Sequence, residues 1–309
     1  MALIDTLVPL FAIVALGFGA TRLQYLDPKA VPYLGAVVIR VALPALIFLT
    51  LASTPPGQAL DTGVLAAYAA GSLVTMALCM GMARWALGLD WPVVAVIGLG
   101  VSMANSGFMG FPIAQGLMGA QQASLLLAHC MSVENILILP LALVLISAAT
   151  AENPRRDRMA VLRGIATNPL LIALLAGMAV SAVELGLPGP ARATLELLAR
   201  LSAPLALLVI GGMLATLPVQ GRASTVAVLV VGKLLIHPLT VWGALAVVGP
   251  VAAGLAAGAV LFAAMPMITI FPILSARAGQ MQLGAYGLLA ATLTSFASLP
   301  IVIYLLGLA

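Results

Sequence analysis

The chain has 309 residues, of which 63% are hydrophobic and 7% charged, with a formal net charge of +4. A soluble domain carries about a quarter charged residues, so most of this surface must face lipid, and a water-soluble fold is excluded. The basic residues fall mainly in loops, which argues against nucleic-acid binding. Cys79 and Cys130 both sit inside apolar runs and offer no disulfide framework or metal-ligand spacing.

An apolar run of about 20 residues crosses the bilayer as a helix. The runs here are long and continuous and lack the alternation of barrel strands. The fold class expected is an all-α polytopic membrane protein of about ten transmembrane helices. In chain order the first five spans are predicted at residues 3–22, 34–54, 63–87, 92–117 and 122–149. The first carries Asp5 and no basic stretch before it, so it reads as a span and not as a cleaved signal. A polar link at 151–164, containing Asn153-Pro154-Arg155-Arg156-Asp157-Arg158, separates a first half, 1–150, from a second, 165–309. The second five spans are predicted at 165–184, 194–217, 224–248, 252–276 and 282–308.

Basic residues orient the spans. With the N-terminus outside, Arg22, Lys29, Arg84, Arg155, Arg156, Arg158, Arg163, Arg222 and Arg277 fall on the cytoplasmic side, and Arg192 and Arg200 on the other. Both termini are therefore expected outside, with the link in the cytoplasm of a cell whose inner membrane holds the chain.

A shift of 160 residues lays Pro9 on Pro169, Pro28 on Pro188, Pro44 on Pro204, Pro112 on Pro272 and Pro140 on Pro300, with Gly17 on Gly177. This points to an internal repeat. Each half holds an odd number of spans, so the second copy enters the membrane inverted, as in many secondary transporters.

The fourth and ninth spans correspond in this repeat, and both are interrupted. The fourth reads Asn105-Ser106-Gly107-Phe108-Met109-Gly110-Phe111-Pro112, and the ninth Pro266-Met267-Ile268-Thr269-Ile270-Phe271-Pro272. Proline removes a backbone donor and clashes with the turn before it. Broken spans at matching places are the best sequence pointer to a transport site, and a half-helix N-terminus there favours an anion. Asn105, Ser106, Gly107, Pro112, Pro266, Met267 and Thr269 are thus candidate substrate-site residues.

The fifth span buries His129, Ser132, Glu134 and Asn135. Glu134 is the acid set deep in a span; such groups are costly and usually functional. Asn135 is a further substrate-site candidate, and Glu134 a candidate proton carrier. Lys233, in the eighth span one turn before His237, could bind a carboxylate or gate by pairing with Glu134; His129 is a third coupling candidate. Arg40, before Pro44, reads as snorkelling to the cytoplasmic edge. HExxH, GxSxG and P-loop motifs are missing, so neither an enzyme nor an ATP-driven pump is expected.

The stretches Asn105–Pro112, Arg40-Val-Ala-Leu-Pro44-Ala-Leu-Ile-Phe48, Asn168-Pro169-Leu170 and Met265–Pro272 resemble the ordered motifs of the auxin efflux carrier family. The resemblance implies crossing broken helices, a scaffold of spans one, two, six and seven that often forms a homodimer interface, and a moving unit of spans three to five and eight to ten in an elevator-like cycle. It also implies a small organic anion as substrate, with Asn105, Pro112 and Pro266 at the crossover. Expected partners are lipid, that anion and a second copy. No cofactor is expected; the coupling ion would be a proton. The alternative is a sodium-coupled symporter of bile-acid type, with Ser102, Ser106, Ser132, Glu134, Asn135, Thr269 and Thr294 as oxygen ligands.

Overall fold

A computed structural model describes residues 2–55, 61–150, 163, 166–183, 186–216 and 223–308. The predicted link, with Arg155, Arg156 and Arg158, lies outside the described residues, as does Arg222. The regular elements described are all helices, with one isolated β-bridge besides.

Among the described residues, six helices are long and apolar enough to cross a membrane: Val31–Ala52, Thr62–Ala86, Ala120–Thr150, Gly189–Leu214, Ser224–Val248 and Met281–Leu305. Four shorter apolar helices, Val8–Arg22, Trp91–Ser102, Pro169–Ala182 and Ala253–Ala263, stand where the remaining spans were predicted. Large side chains such as Leu16, Ile172, Trp242 and Ile301 are exposed along these helices. Lipid covers such apolar surface; water would not. The chain is a polytopic membrane protein.

Local chemistry sets the span starts. Asp61 caps the third span by accepting the Val64 amide at 2.9 Å, and Asn168 caps the sixth by accepting that of Leu170 at 2.9 Å. The sixth span therefore begins at Pro169 and not at 165. The seventh begins at Gly189, ahead of the predicted 194, because Pro190 occupies its first turn, where the fixed φ of proline suits a helix.

Among the described residues five stretches wind as wider π-turns, and four of them stand just ahead of a proline. Val38–Ala42 precedes Pro44, Ser106–Gly110 precedes Pro112, Glu134–Ile138 precedes Pro140 and Gly232–Ile236 precedes Pro238. In each case the carbonyl four residues before the proline, the one its ring would strike, lies inside the wide turn. Winding one residue wider relieves that clash. Such turns frequently occur at functional sites.

The first span packs on the seventh, the second on the sixth and seventh, and the third on the fourth and eighth. Glycine permits two of these crossings. A Cβ at Gly17 would run into the carbonyl oxygen of Leu208, and one at Gly211 into that of Val14. A Cβ at Gly177 would stand 2.8 Å from the carbonyl oxygen of Phe48. Spans one, two, six and seven form one packed group, and the remaining spans a second around the two broken helices.

Candidate functional site

The fourth span stops at Ser102, and Met103 turns to extended backbone. The chain runs through Ala104 and Asn105 before winding again at Ser106. The ninth span stops at Ala263 and resumes at Phe271. The two breaks cross. Ala104 and Met267 form an antiparallel bridge, and the Asn105 amide donates to the Pro266 carbonyl at 2.8 Å. Pro266 lacks an N–H but keeps its acceptor, so proline both breaks its helix and supplies the partner for the other break. Gly110 lets the resumed fourth span press against the Phe262 ring, where a Cβ would stand 2.9 Å from it.

A cavity of about 270 Å³ lies at this crossing. On one side it is walled by Asn105, Ser106, Gly107, Glu134, Asn135 and Thr269; on the other by Ile39 and Leu43 of the second span and Thr167–Leu170 of the sixth. It therefore sits between the two packed groups of helices. Thr167, at the link end of the sixth span, both lines the cavity and is exposed. Ser106, Gly107 and Phe108 open the resumed helix and line the cavity. The first amides of a helix have no acceptor within it, so they suit an anion. Among the described residues no Lys or Arg lines the cavity.

The polar side chains form a connected set. The Thr269 hydroxyl donates to Asn105 Oδ1 at 3.1 Å. Glu134 Oε1 accepts from the Ser106 hydroxyl at 2.7 Å and from the Tyr68 phenol at 2.8 Å. Asn135 Nδ2 donates to the Met131 carbonyl at 2.8 Å, and its Oδ1 accepts from Asn168 Nδ2 at 3.0 Å.

Of the residues singled out in the sequence, Asn105, Ser106, Gly107, Glu134, Asn135 and Thr269 meet at the cavity; the others stand apart. Pro112 is buried within the resumed helix. Pro266 and Met267 serve the crossing through their backbones. Lys233 is fully buried but meets the Ala263 carbonyl at 2.8 Å and His237 Nδ1 at 2.5 Å, not Glu134. Ala263 ends the first half of the ninth span, so a cation there faces the negative end of a helix. His237 also reaches the Ser72 hydroxyl at 2.9 Å. His129 stitches two spans: its Nδ1–H donates to the Leu125 carbonyl, while Nε2 accepts the Asp61 amide at 2.6 Å. Of the oxygens considered for sodium, the Ser102 and Ser132 hydroxyls donate to carbonyls of their own helices and Thr294 is exposed.

Sequence reasoning gave no site role to Tyr68, or to Asn168, which it noted only within the Asn168-Pro169-Leu170 motif. The signal for Tyr68 was a phenol within an apolar run, which needs a buried partner. For Asn168 it was the Asn-Pro pair that opens the sixth span.

Two comparisons bear on this site. A protein of Rhizobium meliloti (strain 1021) named "Putative malonate transporter" is 26% identical over 301 residues, covering 96% of this chain and 94% of that one. The sequence model of the family described as Membrane transport protein matches residues 2–303. The chain belongs to that family, the family of the auxin efflux carriers, and is a membrane transporter and not an enzyme.

Proposed function

We propose that the chain carries a small carboxylate of the malonate class by an elevator-like alternating-access cycle, in efflux or exchange. The observation that carries this reading is the cavity between the two helix groups, lined by the opening amides of the resumed fourth span and by Asn105. Ligand pockets commonly hold about 300–1,000 Å³; a cavity near 270 Å³ suits a ligand of a few carbons. In this reading spans one, two, six and seven are the scaffold, and the other six carry the site. The relative named for malonate supports the substrate class.

The inverted repeat gains support from reciprocal contacts. Gly17 meets Leu208 and Gly177 meets Phe48; adding 160 to the first residue and subtracting it from the second converts one pair into the other. With the link in the cytoplasm, the cavity opens inward and both termini lie outside the inner membrane. A homodimer through the scaffold belongs to the same reading.

Glu134 supplies the coupling. Two like charges in one small cavity repel, so the anion binds together with a proton on Glu134. The test is malonate flux in liposomes holding the purified chain, with pH and sodium gradients imposed separately. Flux that follows the pH gradient and ignores sodium is expected. Absence of flux for malonate and for other small carboxylates would end the reading, and sodium-driven uptake would favour the bile-acid type of symport.

A further inference from the structure

Asn168 does two things at once. Its Oδ1 caps the sixth span through the Leu170 amide, and its Nδ2 donates to Asn135 Oδ1 on the fifth, at 3.0 Å. The donor stands on one packed group of helices and the acceptor on the other, and both residues wall the cavity. Away from the link, the outer part of the fifth span packs directly on the second half of the second. The pair related by the 160-residue shift, the tenth span and the second half of the seventh, makes no comparable packing among the described residues. Packing away from the link, together with exposed Thr167 in the cavity wall on the link side, fits a form open toward the link, and the Asn135–Asn168 bond ties the groups together in it.

The opposite form lacks such a tie. The same shift carries Asn135 onto Ser295 and Asn168 onto Val8. A valine has no donor to offer, so the mirrored state forms no equivalent bond.

We infer that Asn135 and Asn168 form a latch that holds the empty carrier open on the link side, and that the substrate anion itself releases it. Asn168 Nδ2 is a donor in the cavity wall, and a carboxylate oxygen accepting from it takes the place of Asn135 Oδ1. The loaded carrier has then already broken the tie before it moves, whereas the empty carrier must break it unaided. Exchange of anion for anion is therefore faster than net flux. This inference rests on the anion-carrier reading, and one arm of its test stands apart from that reading.

Asn168→Ser keeps a good helix cap but withdraws the amide that reaches Asn135. In liposomes, malonate homoexchange and net malonate efflux are measured for the full chain and the variant. A net hydrogen bond of ordinary strength corresponds to about a fivefold change; the variant also loses a donor to the anion, so both fluxes are read at saturating malonate, where the ratio of net efflux to homoexchange should rise about fivefold. Equal changes in both, or in neither, would overturn the latch. The second arm needs no transport. Spin labels on Leu23→Cys and Arg277→Cys, both exposed positions, report the separation of the two groups; the native cysteines are buried. Without ligand, Asn168→Ser should enrich a second distance that is scarce in the unchanged chain, and malonate should enrich it in the unchanged chain. If the empty variant and the empty unchanged chain give the same distances, the latch is refuted. If malonate alone has no effect, the substrate reading fails and the empty-state comparison still decides the latch.

Discussion

The Tyr68 phenol and the Glu134 carboxylate meet at 2.8 Å across the third and fifth spans, both buried from lipid and water alike. The same carboxylate oxygen accepts from Ser106. Glutamine keeps an oxygen at that position, so Glu134→Gln should fold with both bonds in place yet be unable to carry a proton. Malonate flux by the variant should lose its dependence on pH while the protein remains monodisperse in detergent. A pH profile parallel to that of the unchanged chain would remove Glu134 from coupling.

Removing the phenol alone asks a smaller question. Tyr68→Phe leaves the Ser106 bond and deletes one donor, a change of about 1 kcal/mol. A modest fall in thermal stability is expected, with flux still responsive to pH.

Lys233 is held by main chain and by His237, not by an acid. Lys233→Met fills similar volume but leaves the Ala263 carbonyl without its donor, which costs about 1–3 kcal/mol. Lys29→Met, at an exposed position, should stay within about 0.5 kcal/mol. Thermal melts of the two variants compare them directly; equal melting temperatures would show that the buried ammonium is dispensable to the fold.

Asn105 joins the breaks twice, through its amide to Pro266 and through its side chain to Thr269. Asn105→Ala loses only the second bond, so stability should fall by about 1 kcal/mol. Transport should fall far more, at least about tenfold if the side chain holds the anion with energy near 1.4 kcal/mol. A further readout is the rise in melting temperature on adding malonate, which should disappear in the variant.

Gly211 and Gly19 form a matched pair of positions. Gly211→Ala forces a methyl group against the Val14 carbonyl, whereas Gly19→Ala meets nothing within 4 Å. Overpacking of this kind costs about 1–3 kcal/mol or more. Folded yield and melting temperature should fall for the first and hold for the second.

The ten helical segments were legible because each is an apolar run bounded by Pro, Gly or charge. Both breaks were legible because Pro112, Pro266 and Pro272 mark them at matching places. Half of the polar site followed from the same signal. Lys233 shows where such reading stops. An intramembrane lysine suggests an acid as partner, but its partners here are His237 and the carbonyl that ends a broken helix, and a backbone carbonyl leaves no mark in composition. His129 likewise looked like a coupling group, yet it meets the amide of Asp61, a backbone group that no residue type announces. The wide turns were hidden too, since a proline signals a disturbance but not which way the helix gives.

Those wide turns hold one more residue per coil than their neighbours. Deleting a single residue inside Glu134–Ile138 would restore ordinary winding, but Pro140 would then strike the coil before it. Everything beyond the deletion would keep its facing, because an ordinary coil with one residue fewer turns through about the same angle. Leu139 would stay at the cavity wall, and the harm would fall on the proline clash alone. Each such wide coil thus takes up the residue its proline requires without rotating the far end of the helix, so that one end can face a polar hollow while the other faces hydrocarbon.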